Sequence, residues 1–186
     1  MINNNIKSCS FFGHRNIEIT EELKIKLKQI IEELIIKNNV VTFLFGSKSN
    51  FNSLCHLIVT ELKHKYINIK RISYTCKSEK CLMENEREIL EKIYFDINKE
   101  KVCLQGFEGE VEHKTKNTSG RASYIERNYA MINDSDYCIL FYNEKYKPDF
   151  KKYSKSSIGY YQPRSGTSLA YNYAKQKNKN IINVYE

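Results

Sequence analysis

Four short stretches of the chain combine residue types that can grip an anion. Phe12-Gly13-His14-Arg15 offers a glycine that permits close backbone approach and an arginine whose planar fork suits a phosphate or carboxylate. Gly46-Ser47-Lys48-Ser49 sets small residues where backbone N–H groups can face an anion. Arg164-Ser165-Gly166-Thr167 places an arginine, a glycine and two hydroxyls directly before a helical pattern, and a helix N-terminus carries orphan N–H donors and a positive dipole end. Arg121 to Asn128 sets Glu126 beside Arg127, so that an arginine could steady charge while a carboxylate accepts from a ribose hydroxyl or acts as a base. Each stretch also has a plainer reading. Gly13 and Gly46 can simply turn the chain, Ser165 or Thr167 can cap a helix, and Glu126 can be a solvated helix carboxylate.

Other chemistries are less well supplied. The second stretch has neither G-x-G-x-x-G nor G-x-x-x-x-G-K-[ST], so it is neither a dinucleotide fingerprint nor a Walker loop. Cys76 and Cys81, with Cys103 or His113, do not make a zinc set without a second close pair, and no metal is expected. A cysteine nucleophile would need a histidine partner brought to it by folding. Six cysteines spread over a chain of 186 residues read as reduced thiols rather than a secreted disulfide framework.

A formal charge of +8 suggests a nucleic-acid partner. Codon bias offers a duller explanation, since the chain is rich in Lys, Asn, Ile and Tyr, all favoured by AT-rich codons. Only six residues are arginine, at 15, 71, 87, 121, 127 and 164, and their positions are the more informative. Nucleic acid is therefore a possible partner but not the favoured one. No run approaches the ~18 apolar residues of a membrane span, and the first residues lack the apolar core of a signal peptide. The expectation is a cytoplasmic protein without a membrane partner.

The elements that must position these residues follow from periodicity. A strand over 6–12 ends at Gly13. Thr20 caps a helix with Glu21 and Glu22 in its first turn and Leu23, Leu27, Ile30, Ile31, Leu34 and Ile35 at helical spacing. Val40 to Phe45 reads as a strand buried on both faces, and Leu54, Leu57, Ile58 and Leu62 mark a second helix. Ile67, Ile69 and Ile72 predict a third strand, and 79–98 a longer helix. Between 101 and 117, Val102 and Leu104 suggest a short strand that Gly106 and Gly109 interrupt. A helix over 119–132, a strand over 137–142, a helix over 167–177 and a last run over 181–185 complete the pattern. Alternation of this kind implies parallel pairing through right-handed crossovers. The expected fold is α/β, a Rossmann-like three-layer sandwich with a mainly parallel sheet, forming a single domain over 1–186. The span 143–164, rich in Lys and Tyr, is a long basic loop, either a lid or an insertion. In such a sheet ligands bind outside the carboxyl ends of the strands, where strand order reverses, and all four stretches fall there.

Taken together, Phe11-Phe12-Gly13-His14-Arg15, Phe45-Gly46-Ser47, Tyr124-Ile125-Glu126-Arg127-Asn128 before Asp134-Ser135-Asp136, and Ser165-Gly166-Thr167 resemble the SLOG superfamily over nearly the whole chain. Its members include LOG-type phosphoribohydrolases, DprA-like proteins and nucleotide-sensing domains of bacterial defence systems, and the chain looks nearest to small stand-alone proteins with a G-H-R first loop. The resemblance implies a Rossmann-like sheet and a nucleotide-derived ligand, with a possible role in bacterial or phage-directed defence. LOG hydrolases carry P-G-G-x-G-T-x-x-E, and aligning Gly166-Thr167 with its G-T puts Ala170 at the glutamate. Glu126 and Arg127 would then be catalytic only if the protein is an enzyme after all, as a nucleotide N-glycosidase. The expected function is binding of an ADP-ribose-like or cyclic nucleotide signal, as a sensor or sequestering protein. The ligand contacts expected are Gly13, His14, Arg15, Gly46, Ser47, Arg127, Arg164, Ser165, Gly166 and Thr167. No cofactor is expected, and a homo-oligomer is possible.

Overall fold

The computed structural model describes residues 6–46, 49–76, 107–114, 120–146 and 165–185. The predicted helix over 79–98, the run at Val102 and Leu104, Ser47, Arg164 and most of the basic loop lie outside the described residues. In chain order the elements are β1 (Lys7–Gly13), α1 (Glu21–Asn38), β2 (Val40–Phe45), α2 (Asn50–Lys65) and β3 (Lys70–Cys76). They continue with β4 (Gly109–His113), α3 (Gly120–Asn133), β5 (Tyr137–Phe141), α4 (Gly166–Gln176) and β6 (Asn180–Asn183).

The six described strands form one sheet in the order β4-β3-β2-β1-β5-β6, with every pairing parallel. Strand order runs outward from β1 in both directions, so the reversal falls between β1 and β5. Gly13 lies opposite Phe141 across that junction. Alternate residues of the central strands serve two cores. Cys9, Phe11, Phe43, Phe45 and Ile139 pack with α1 and α2, while Phe12, Leu44, Cys138 and Leu140 pack with α3 and α4. Coverage of both faces explains the continuous apolar run at Val40 to Phe45. The result is the expected three-layer α/β sandwich, Rossmann-like in its strand order.

Two boundaries differ from expectation. Ile67 is 76% exposed in the turn after α2, where its carbonyl accepts from Lys63, and β3 begins only at Lys70. Gly109 does not interrupt a strand but opens β4, opposite Ile72. The strand is held by the parallel ladder to β3 and by a hydrogen bond from the Thr75 hydroxyl to the Glu110 carboxylate at 3.1 Å.

An ion pair between a buried arginine and a partly buried glutamate secures the approach to β4. Arg71 on β3 is 1% exposed. Its guanidinium donates to both carboxylate oxygens of Glu108, at 2.6 and 3.1 Å, and its Nη1 donates to Thr60 on α2. The Arg71 backbone N–H also donates to Glu108 at 2.6 Å. Burial opposes ionisation of Glu108, but these bonds outweigh it and hold the carboxyl down to about 2.

Candidate functional site at the carboxyl edge of the sheet

The loop after β1 is built as a fixed structure. His14 is buried, and its Nε2 accepts a hydrogen bond from the Asn143 backbone N–H at 3.0 Å, joining the ends of β1 and β5. A ring nitrogen accepts in this way only while it has no proton, so the proton of the neutral imidazole sits on Nδ1. Burial lowers the His14 pKa from its ordinary value, in keeping with a neutral ring. Tyr146 stacks on the imidazole with centroids 3.8 Å apart. His14 Nδ1 has no hydrogen-bond partner among the described residues.

Arg15 is exposed, which leaves its guanidinium open to solvent and ligand, and its carbonyl accepts from the Asn50 N–H at 3.0 Å. The Asn50 carboxamide holds Ile17 as well, accepting from its N–H and donating to its carbonyl. Asn50 is the first residue of α2, and Ser49 caps that helix by accepting from Asn52 N–H. The loop therefore rests on a capped helix N-terminus. Asn50, Asn143 and Tyr146 escaped the sequence reading. Asn50, following a capping serine, gave a local signal for a helix start but none for its distant partner.

The two glycines serve packing on their Cβ sides. A Cβ on Gly13 would lie 2.5 Å from Phe51 Cβ, so its close approach is to the first turn of α2. A Cβ on Gly46 would lie 2.8 Å from both Met131 Sδ and the Tyr74 carbonyl and 3.2 Å from Arg127 Cδ. Gly46 thus lets α3 close over the ends of β2 and β3, with the Arg127 side chain packed beside it. Arg127 is 3% exposed, donates to Asn128 Oδ1 at 3.0 Å and lies over the Tyr124 ring. Glu126, next to it, is half-buried.

At α4 the cap is Ser165, whose hydroxyl accepts from Ser168 N–H at 3.0 Å, and Thr167 is buried in the first turn. Gly166 is exposed, and a Cβ there would meet nothing within 4 Å among the described residues outside its own helical turn. Tyr171 of α4 stacks on Tyr142 at the end of β5, which ties α4 to the His14 corner. Ala170, one turn into α4, is 1% exposed within the apolar cluster of α3 and α4. No carboxylate stands at that position.

A cavity of about 420 Å³ opens beside His14, between the loop before α1 and the ends of β5 and β6. Its lining includes Glu18, Glu22, Lys26, Asn143, Tyr146 and Tyr185. Among the described residues no group of three or more His, Cys, Asp or Glu gathers as a metal set. Nor is any described helix long and apolar enough to cross a membrane.

Fold and edge together define a Rossmann-like α/β domain with a crevice between β1 and β5. No family model and no curated protein matches the chain. Among solved structures it is similar to DNA processing protein A from Helicobacter pylori, described for its single-stranded DNA binding mode. Identity is 15% and the TM-score 0.51, covering 94% of this chain and 63% of that one. The likeness is one of fold, and it agrees with the DprA-like side of the resemblance read from the sequence.

Proposed function

We propose that the protein binds a nucleotide-derived small molecule at the carboxyl edge of its sheet, as a SLOG-type sensor or sequestering domain. The observation that carries this reading is the pinned loop from His14 to Ile17, held by Asn50 and Asn143 at the reversal of strand order. Arg15, exposed on that loop, supplies a fork for phosphate, and Ser165, Gly166 and Thr167 supply the N-terminus of α4. Arg127 and Gly46, with Ser47 and Arg164 of the sequence, complete the set of ligand contacts in this reading. Ala170 at the hydrolase glutamate position favours binding over turnover. Calorimetry against ADP-ribose, cyclic ADP-ribose isomers, NAD, AMP and cyclic dinucleotides tests the reading. Binding of one of them, weakened by Arg15→Ala, is expected; no heat from any of them counts decisively against it.

A second reading, single-stranded nucleic acid, is favoured by the described binding mode of the fold neighbour and by the surface of α4. There Lys175 lies over Tyr171 and Lys177 over Tyr173, two exposed cations on one surface that could meet successive phosphates. Oligonucleotide retention at low salt, lost on neutralising Lys175 and Lys177, would support this reading. Absence of retention at low salt removes it.

A further inference from the structure

Helix α1 turns one face to the core and leaves apolar side chains on the other. Leu23, Leu27, Ile31 and Leu34 are buried in the cluster shared with α2 and the sheet. On the opposite side Ile25 is 57% exposed and Ile36 is 63% exposed, so neither is covered among the described residues. Their separation of eleven residues is close to three turns, which sets both on one stripe, with Gln29 and Glu32 between them. Charge is graded along the same face: Glu21 and Glu22 stand in the first turn and Lys37 in the last, all exposed.

That gradient is complementary to itself when reversed. A second copy laid antiparallel about a two-fold axis sets Ile25 against the partner's Ile36, and Ile36 against the partner's Ile25. In this register Gln29 lies level with the partner's Glu32, amide against carboxylate. On one flank the partner's Lys37 comes within about 3 Å along the axis of the level of Glu22. Lys37 also meets Glu33 of its own helix at 3.2 Å, but both are exposed and such a pair holds a lysine only weakly. A parallel copy would instead bring like charges together at both ends. Glu22 lines the cavity beside His14, so the antiparallel copy delivers a cation to the rim of that cavity.

We infer that the outer face of α1 is the interface of an antiparallel two-fold dimer, in which Ile25 and Ile36 of each copy pack together and the partner's Lys37 joins Glu22 at the cavity rim. The inference does not rest on the nucleotide reading, and either stands if the other fails. A helix of 18 residues offers a face about 27 Å long and 10 Å wide, well short of the ~800 Å² a side of a standard interface. The dimer therefore belongs to the weak class that forms as concentration rises.

Sedimentation velocity of the full chain at low salt, from roughly 1 μM to 1 mM, should show monomer passing into dimer. Ile36→Glu should keep the melting temperature of the parent and weaken the dimer at least about tenfold, because its side chain enters two contacts per dimer. Lys37→Glu should weaken it as well, and adding Glu22→Lys should restore it; this pair carries the test if Ile36→Glu does not fold. Cysteines fix the direction. An equimolar mixture of Ile25→Cys and Ile36→Cys should cross-link under mild oxidation beyond the parent's level, and neither variant alone should do so. A chain that stays monomeric at every concentration overturns the inference, and a lowered melting temperature of Ile36→Glu would then show that the same chain covers this face. A dimer indifferent to Ile36→Glu, or to Lys37→Glu, uses another surface and overturns it too. Cross-linking by Ile25→Cys alone would mean parallel helices and would overturn the antiparallel register.

Discussion

Asn50 grips both backbone groups of Ile17, accepting from its N–H at 3.0 Å and donating to its carbonyl at 2.8 Å. One side chain at the start of α2 thereby does for the first loop what a neighbouring strand would do. Replacing it with alanine leaves a half-buried N–H and C=O to find water. Asn50→Ala should cost about 1–3 kcal/mol in chemical denaturation. It should also raise hydrogen exchange at the Ile17 amide well beyond any global change. Unaltered Ile17 protection would mean that the loop is held by other means.

The same relationship shows how far the sequence could be read. Helix α1 was legible because its signals are local: Thr20 accepts from Leu23 N–H, and Leu23, Leu27, Ile31 and Leu34 recur on one buried face. The buried run of β2 was legible for the same reason. The Asn50–Ile17 bonds span 33 residues and exist only once α2 is laid against the end of β1. Gly13 reads as a position for close approach and Gly46 as part of a stretch that presents N–H groups, but Phe51, Met131 and Tyr74 are what approach their Cβ sides, and only folding supplies them. Ile67 misled because isoleucine is abundant here, and an isolated one in a turn looks like a strand residue.

The glycines consequently differ in what substitution should do. Gly46→Ala drives a methyl to 2.8 Å from a backbone carbonyl as well as from Met131, and a backbone atom cannot rotate away. A loss of about 1–3 kcal/mol is expected, typical of overpacking, with a lowered melting temperature. Gly13→Ala meets Phe51 at 2.5 Å and should be at least as damaging. If either variant melted with the parent, the packing role assigned to that glycine would be wrong.

Stability should depend on pH through two neighbouring groups that titrate in different ranges. His56, buried on α2 against Phe45 and Phe107, is held down to about 4 by burial first, with the Arg71 cation adding to it and Glu108 opposing. Its folded pKa is below the unfolded value near 6.5, so its contribution is complete above pH 6.5 and falls away as pH drops toward 4. The slope is up to about 1.4 kcal/mol per pH unit for one proton. Glu108 acts lower. Its contribution is present above its ordinary value near 4.5 and is lost as pH falls through about 2. Denaturation of His56→Leu should lose slope between pH 6.5 and 4, whereas Glu108→Gln should lose it below 4.5 and be destabilised at neutral pH. Parallel curves for parent and variants would contradict the assignment.

The start of α4 separates a structural cap from a ligand cradle. Ser165 is the cap, so Ser165→Ala should cost about 1 kcal/mol through the lost bond to Ser168 N–H. Thr167 does not cap, and its alanine variant should lack that penalty. Gly166 is the informative position, because a Cβ there meets no atom of the described residues within 4 Å outside its own helical turn. Gly166→Val should therefore leave the unfolding free energy within about 1 kcal/mol of the parent while filling the space in which a phosphate would meet the helix N–H groups. Calorimetry with whichever member of the nucleotide panel binds the parent gives the decision. Binding lost in a stable Gly166→Val protein assigns the N-terminus of α4 to the ligand. Binding retained returns Ser165, Gly166 and Thr167 to the role of a helix cap and confines the phosphate to Arg15 and the first loop.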